Sequence, residues 1–203
     1  MMSNIFVKLK VKLKNLIVYY LFQYPRILKF KLISNCKNVI GSPIYNQPTL
    51  LLGRGTIIFG NNVNLGFNPS PYFYSGYGYI EARNEYSKII IGDNVWINNN
   101  FFKCSEGEGI EIGKNTIIGV NVVIIDSDFH DLHPDRRITG KPRTEKVIIE
   151  DNVFIGNNVK ILKGVRIGKN SVIANGSIVT KSIPANVIAG GNPAKVIRKN
   201  EFD

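Results

Sequence analysis

A chain of 203 residues, 44% hydrophobic with 19 glycines and 9 prolines, is long enough to bury one core and too apolar for a disordered chain. Its formal charge of +11 is uneven. Residues 1–37 hold Lys8, Lys10, Lys12, Lys14, Arg26, Lys29, Lys31 and Lys37 and no acid, a basic arm on a nearly neutral body rather than the uniformly basic surface of a nucleic-acid binder.

Within the arm, Leu9, Leu13, Leu16, Ile17, Tyr20 and Tyr24 recur at three- and four-residue steps with lysines between them. This spacing predicts an amphipathic helix over residues 5–24, broken near Pro25. Its apolar run Leu16–Phe22 is too short to span a bilayer, and a signal peptide is not expected. Two uses fit such a helix. One is peripheral contact with the inner face of a membrane, lysines on anionic headgroups; the other is packing on the body or at an oligomer contact. Cys36 closes the arm far from Cys104, with no metal-ligand spacing, as reduced thiols of a cytoplasmic protein would be placed.

From about Ile40 the chain reads in sixes. The first blocks, opening at Leu52 and Ile58, slip by one at Phe59. Residues 66–88 then interrupt the pattern with six aromatics between Phe67 and Tyr79 among Gly, Pro and Ser, a loop or irregular rung. Its tyrosines are suited either to stacking on sugar faces or to sealing the side of the body. The sixes return at Ile91 and Ile97, and a second interruption runs from Asp126 to Val147. The most regular stretch follows, with Ile149, Ile155, Ile161, Ile167, Ile173 and Val179 opening six blocks, and Val153, Val159, Val165, Ser171, Ser177 and Ile183 at the fifth positions. Neither a helix nor a plain strand repeats at six. A short strand plus a corner does, and three such units close one triangular turn of a parallel β-helix. The expected organisation is all-β: a helical arm over 1–37 that the prism does not need in order to fold, and a repeat domain over 38–203 with a protruding loop at 126–147 and a basic C-terminal tail.

Both histidines, His130 and His133, lie in that loop among Asp126, Asp128, Asp131 and Asp135. A histidine there suits general-base work, because a carboxylate can orient the imidazole. The plainer use is to cap a turn. A catalytic zinc site wants three close protein ligands and the chain has no third histidine, which leaves only a His–His–Asp set open as a metal reading.

With its hexads, its histidine-bearing loop and its GGNPAKVIRK ending, the chain over residues 50–200 resembles the hexapeptide-repeat acyltransferases. It is most similar to the branch that O-acetylates sugars, including maltose and galactoside acetyltransferases and those acting on bacterial surface polysaccharides. The resemblance implies a left-handed β-helix, a homotrimer, acetyl-CoA as acetyl donor and no required metal. The family loop reads T-H-P-L-D-P-E-E-R where this one reads F-H-D-L-H-P-D-R-R, which puts His130 in the place of the catalytic base and His133 where relatives carry an aspartate. It also implies an acceptor contact at Asn100, with Asn99 the alternative, and coenzyme contacts at Asn157, Asn175, Thr180, Lys181, Lys195 and Arg198. Asn157 and Asn175 replace smaller residues, and Lys195 replaces an arginine, keeping the charge without the bidentate geometry. The expected function is O-acetylation of a carbohydrate, a surface-polysaccharide or oligosaccharide unit. Alternatives on the same fold are N-acetylation of a nucleotide-linked aminosugar, a metal-dependent, carbonic-anhydrase-like hydration enzyme, and a non-catalytic scaffold.

Overall fold

The computed structural model describes residues 2–201. Two- to six-residue strands lie on three faces that meet at tight corners. The first face runs from Asn38–Ile40 to Arg166–Ile167 and the third from Thr49–Leu52 to Ile178–Val179, six parallel strands in each. The second face begins at Ile44–Tyr45 and ends on Val187–Gly191, where Ala194–Lys199 folds back antiparallel and closes the stack. The coil is left-handed, opposite to the usual hand of parallel crossovers.

The period of six is a packing rule. All six openers from Ile149 to Val179 are buried, and so are all six fifth-position residues, Ser171 and Ser177 included. Each isoleucine or valine withdrawn from water in this way stabilises the fold by roughly 1.5–3 kcal/mol. In the early coils the inward residues are Leu51, Ile57, Phe59, Val63 and Leu65, whereas Leu52 and Ile58 are only half-buried. The four-residue strands Thr49–Leu52 and Thr56–Phe59 explain the shift. Their side chains alternate in and out, and an aliphatic residue also occupies the outward position.

Asparagine makes the corners. Asn62, Asn94, Asn115, Asn152, Asn170 and Asn186 all adopt φ between 54° and 60°, a left-handed conformation that asparagine tolerates better than other side chains. Their amides bond from coil to coil, Asn62 Nδ2 donating to Asn94 Oδ1 at 3.0 Å and Asn170 Nδ2 to Asn186 Oδ1 at 2.8 Å. A second ladder at the next corner runs Asn100, Asn121, Asn158.

The arm is helical beyond its expected end. Helix α1 (Met2–Val18) passes through a π-helical turn, Tyr19–Gln23, into helix α2 (Tyr24–Ile33). Pro25 does not break it. The Tyr24 N–H bonds to the Tyr19 carbonyl five residues back, and the widened turn makes room for the proline ring. Helix α2 is fastened to the prism: Ile27 is buried, and Gln23 Nε2 donates to the carbonyls of Asn46 (2.9 Å) and Phe73 (3.0 Å). Arg26 bonds the carbonyls of Phe73 (3.2 Å) and Gly76 (2.6 Å). The first interruption is therefore held from two sides, because buried Asn99 bonds the Phe67 and Pro71 carbonyls at 2.9 and 3.0 Å.

Candidate active site

The loop at 126–147 leaves the corner between the third and first faces. Asp126 fixes its root: the buried carboxylate accepts from Ser105 Oγ (2.8 Å) and from the N–H groups of Glu106 (2.7 Å) and Gly109 (2.8 Å). Asp128 pairs with Lys163 at 3.4 Å, and Asp131 accepts from the His133 N–H and pairs with Arg136. None of these carboxylates bonds the His130 imidazole. The imidazole is oriented instead by a main-chain carbonyl, with Nδ1 2.9 Å from the oxygen of Arg137. A carbonyl can only accept, so Nδ1 bears the proton and Nε2 presents its lone pair outward.

His133 has the other arrangement. Its Nδ1 accepts from the Asp135 N–H at 3.3 Å, capping the short turn Pro134–Arg136. A ring nitrogen engaged in this way shapes the loop.

Phe129, immediately before His130, adopts φ +59°. The Arg83 guanidinium lies 4.9 Å from its ring centroid, while Arg83 also pairs with Glu81 (3.0 Å) and Glu106 (3.4 Å). Burial alone would raise the Glu81 pKa, but hydrogen bonds from Arg83, Cys104 and Tyr79 together hold it below the usual carboxylate value. The same neighbourhood pushes Tyr79 up to about 12, chiefly by burial and then by its bond to Glu81, and burial raises the Cys104 thiol. Both stay protonated at neutral pH. Composition gave no signal for this cluster, which strand pairing alone assembles.

The residues implied as coenzyme and acceptor contacts fall into two groups. Thr180 and Lys181 follow the strand Ile178–Val179 at the same corner as the His130 loop, and both are exposed. Asn100, Asn157 and Asn175 sit at the opposite edge of the third face, on the corner it shares with the second. Asn157 Oδ1 accepts from the Val120 N–H (2.8 Å) and Asn175 Oδ1 from the Asn157 N–H (2.7 Å). Their oxygens therefore hold the corner while the exposed amide nitrogens have no protein partner among the described residues. The Asn100 side chain is engaged in the ladder. Lys195 and Arg198 lie exposed on the closing strand Ala194–Lys199 of the second face. Within one chain the third face separates the histidine from most of these residues.

Beside the second group, a cavity of about 420 Å³ opens on the second face, lined by Phe67, Trp96, Asn98, Ile117, Phe154 and Asn157. Asn98 and Trp96 are absent from the residues read off the sequence. Part of that signal was legible: Trp96, Ile117 and Phe154 are large apolar residues in the outward position just before a buried opener, and all three are more than 40% exposed. A hollow of about 500 Å³ on the first face is lined by Glu111 and the Arg166–Glu150 pair and contains none of the predicted residues.

Residues 146–181 match the family model for the bacterial transferase hexapeptide (six repeats). The galactoside O-acetyltransferase of Escherichia coli is 40% identical over 157 residues, 76% of this chain and 72% of that protein. That of Lactococcus lactis is 42% identical over 134 residues, 66% of this chain. The chain spans 60% of the Lactococcus protein's length. A solved galactoside acetyltransferase in complex with coenzyme A superposes with a TM-score of 0.52 at 30% identity, covering 81% of this chain and 65% of that one.

Proposed function

The chain belongs to the hexapeptide-repeat acetyltransferases, and from that premise we propose that it transfers the acetyl group of acetyl-CoA to a hydroxyl of a carbohydrate. The observation that carries the reading is the His130 imidazole, with Nδ1 pinned to a carbonyl at 2.9 Å and Nε2 left as an accessible base. The aromatic and amide lining of the 420 Å³ cavity supports a sugar acceptor, since Trp96 and Phe67 offer flat faces and Asn98 a donor and an acceptor. Exposed Lys195 and Arg198 suit the phosphates of the coenzyme.

In the mechanism, Nε2 of His130 takes the proton of the acceptor hydroxyl as its oxygen attacks the thioester carbonyl. A main-chain N–H receives the developing oxyanion. Collapse of the tetrahedral species breaks the carbon–sulfur bond, and the imidazolium returns its proton to the departing thiolate. The histidine corner and the amide corner lie on opposite edges of one face, so the site is completed at a seam between two chains of a homotrimer. A surface-polysaccharide or oligosaccharide unit is the acceptor this reading favours.

The test is purified protein with acetyl-CoA against galactosides, maltose and polysaccharide fragments, following release of free thiol. The acetylated product is then treated with mild base, which removes esters and spares amides. His130→Ala should lower kcat by roughly 10²–10⁴-fold and His133→Ala by far less. A base-stable product, or full turnover by His130→Ala, contradicts the reading.

A further inference from the structure

We propose that helix α1 docks on the surface of an anionic lipid bilayer and holds the protein there. The helix has an apolar side that nothing among the described residues covers. Leu9, Leu13, Leu16, Ile17 and Tyr20 follow one another at helical spacing, and each is between 48% and 58% exposed. Exposed Lys10 and Lys14 flank this side on one edge and Lys12 on the other, and residues 1–37 contain no carboxylate side chain. No helix among the described residues is long and apolar enough to cross a membrane, so the geometry is that of a helix lying in the interface, leucines down and lysines reaching headgroups. Tyr19, Tyr20 and Tyr24 cluster at its foot, with ring centroids 5.4 to 6.4 Å apart, the kind of amphipathic ring that settles at headgroup level.

The occupant follows from charge. A second copy laid against this side would bring lysines to lysines on both edges, with no acid to pair them, and like charges at such flanks oppose association. An anionic surface complements both edges at once. The attachment is firm, because Gln23, Arg26 and Ile27 fasten the following turns to the prism and to the aromatic loop. The proposal stands apart from the reaction and does not depend on it.

The experiment is co-sedimentation of the full chain with phosphatidylcholine vesicles with and without phosphatidylserine, alongside light scattering in buffer. The wild type should bind only the phosphatidylserine vesicles, less well as salt is raised. Replacing Lys10, Lys12 and Lys14 by glutamine should weaken partitioning about a hundredfold. Leu13→Glu with Leu16→Glu should abolish it, leaving the oligomeric mass and acetyl transfer to a soluble acceptor unchanged. Absence of wild-type binding, or equal binding by all three proteins, overturns the proposal. So does a change of oligomeric mass in the double glutamate variant, which would assign this side to a second copy.

Discussion

Lys103 sits inside the prism with no solvent exposure, where the repeat would place an aliphatic residue. Its Nζ donates to the Val122 carbonyl at 3.1 Å and lies 5.1 Å from the Phe101 ring centroid. Burial lowers the amine's pKa from 10.5 to about 7. At about 1.4 kcal/mol per pH unit, keeping this group inside costs the fold on the order of 5 kcal/mol at pH 7. Lys103→Met fills much the same space without the charge. The variant loses one hydrogen bond, about 1 kcal/mol, and the Val122 carbonyl keeps its bond from the Phe102 N–H at 3.1 Å. The expected gain is therefore roughly 3–4 kcal/mol at pH 7. The sign of the pH dependence is fixed. Between pH 7 and 10.5 the unfolded chain binds one more proton at this lysine than the folded chain does. Wild-type stability should accordingly rise with pH through that window relative to the variant, and their difference should shrink by about 1.4 kcal/mol per unit. Below pH 7 both states are protonated and the difference is constant. Urea unfolding at pH 7, 8 and 9, at one protein concentration, measures it. A less stable variant whose curve runs parallel to wild type would refute the reasoning.

Deleting residues 1–22 should leave the melting temperature within a few degrees of wild type. Deletion through residue 37 should lower it by roughly 10 °C, because it uncovers the carbonyls bonded by Gln23 and Arg26 and the seat of Ile27; calorimetry distinguishes the two. Asn170→Ala should destabilise by roughly 2–3 kcal/mol, combining a left-handed φ with two broken ladder bonds, and Asn170→Gly by less, as denaturant midpoints would report. Arg83→Met should lower kcat several-fold without changing the KM for acetyl-CoA, since it frees Phe129 beside His130. Equal losses in both parameters would show that Arg83 acts elsewhere.

The prism was readable because one inward side chain per strand repeats at six over a long run, and Ile149 to Val179 obey that rule without exception. The first coils were less legible, since Leu52 and Ile58 are as apolar as the residues that pack inside. Pro25 predicted a break, and the π-helical turn that accommodates it has no sequence mark. His130 stood out as a candidate base, but its orienting partner is a carbonyl supplied by the loop's conformation, which composition cannot reveal. Lys103 was hidden for a related reason. A lysine in a strand reads as an outward residue, and only the register with Ile80 and Ile124 shows that it points in.

The central claim is that His130 of one chain works with the amide corner and basic closing strand of another. Complementation between two inactive variants tests it most directly. His130→Ala chains are co-assembled in equal amounts with chains carrying Lys195→Ala and Arg198→Ala, at an acetyl-CoA concentration too low to saturate the latter. If the site lies at the seam, mixing should restore up to about a quarter of wild-type activity, the share of seams in a closed, randomly mixed trimer that unite two intact halves. Activity no greater than that of the separate variants would place histidine and coenzyme within one chain and contradict the account.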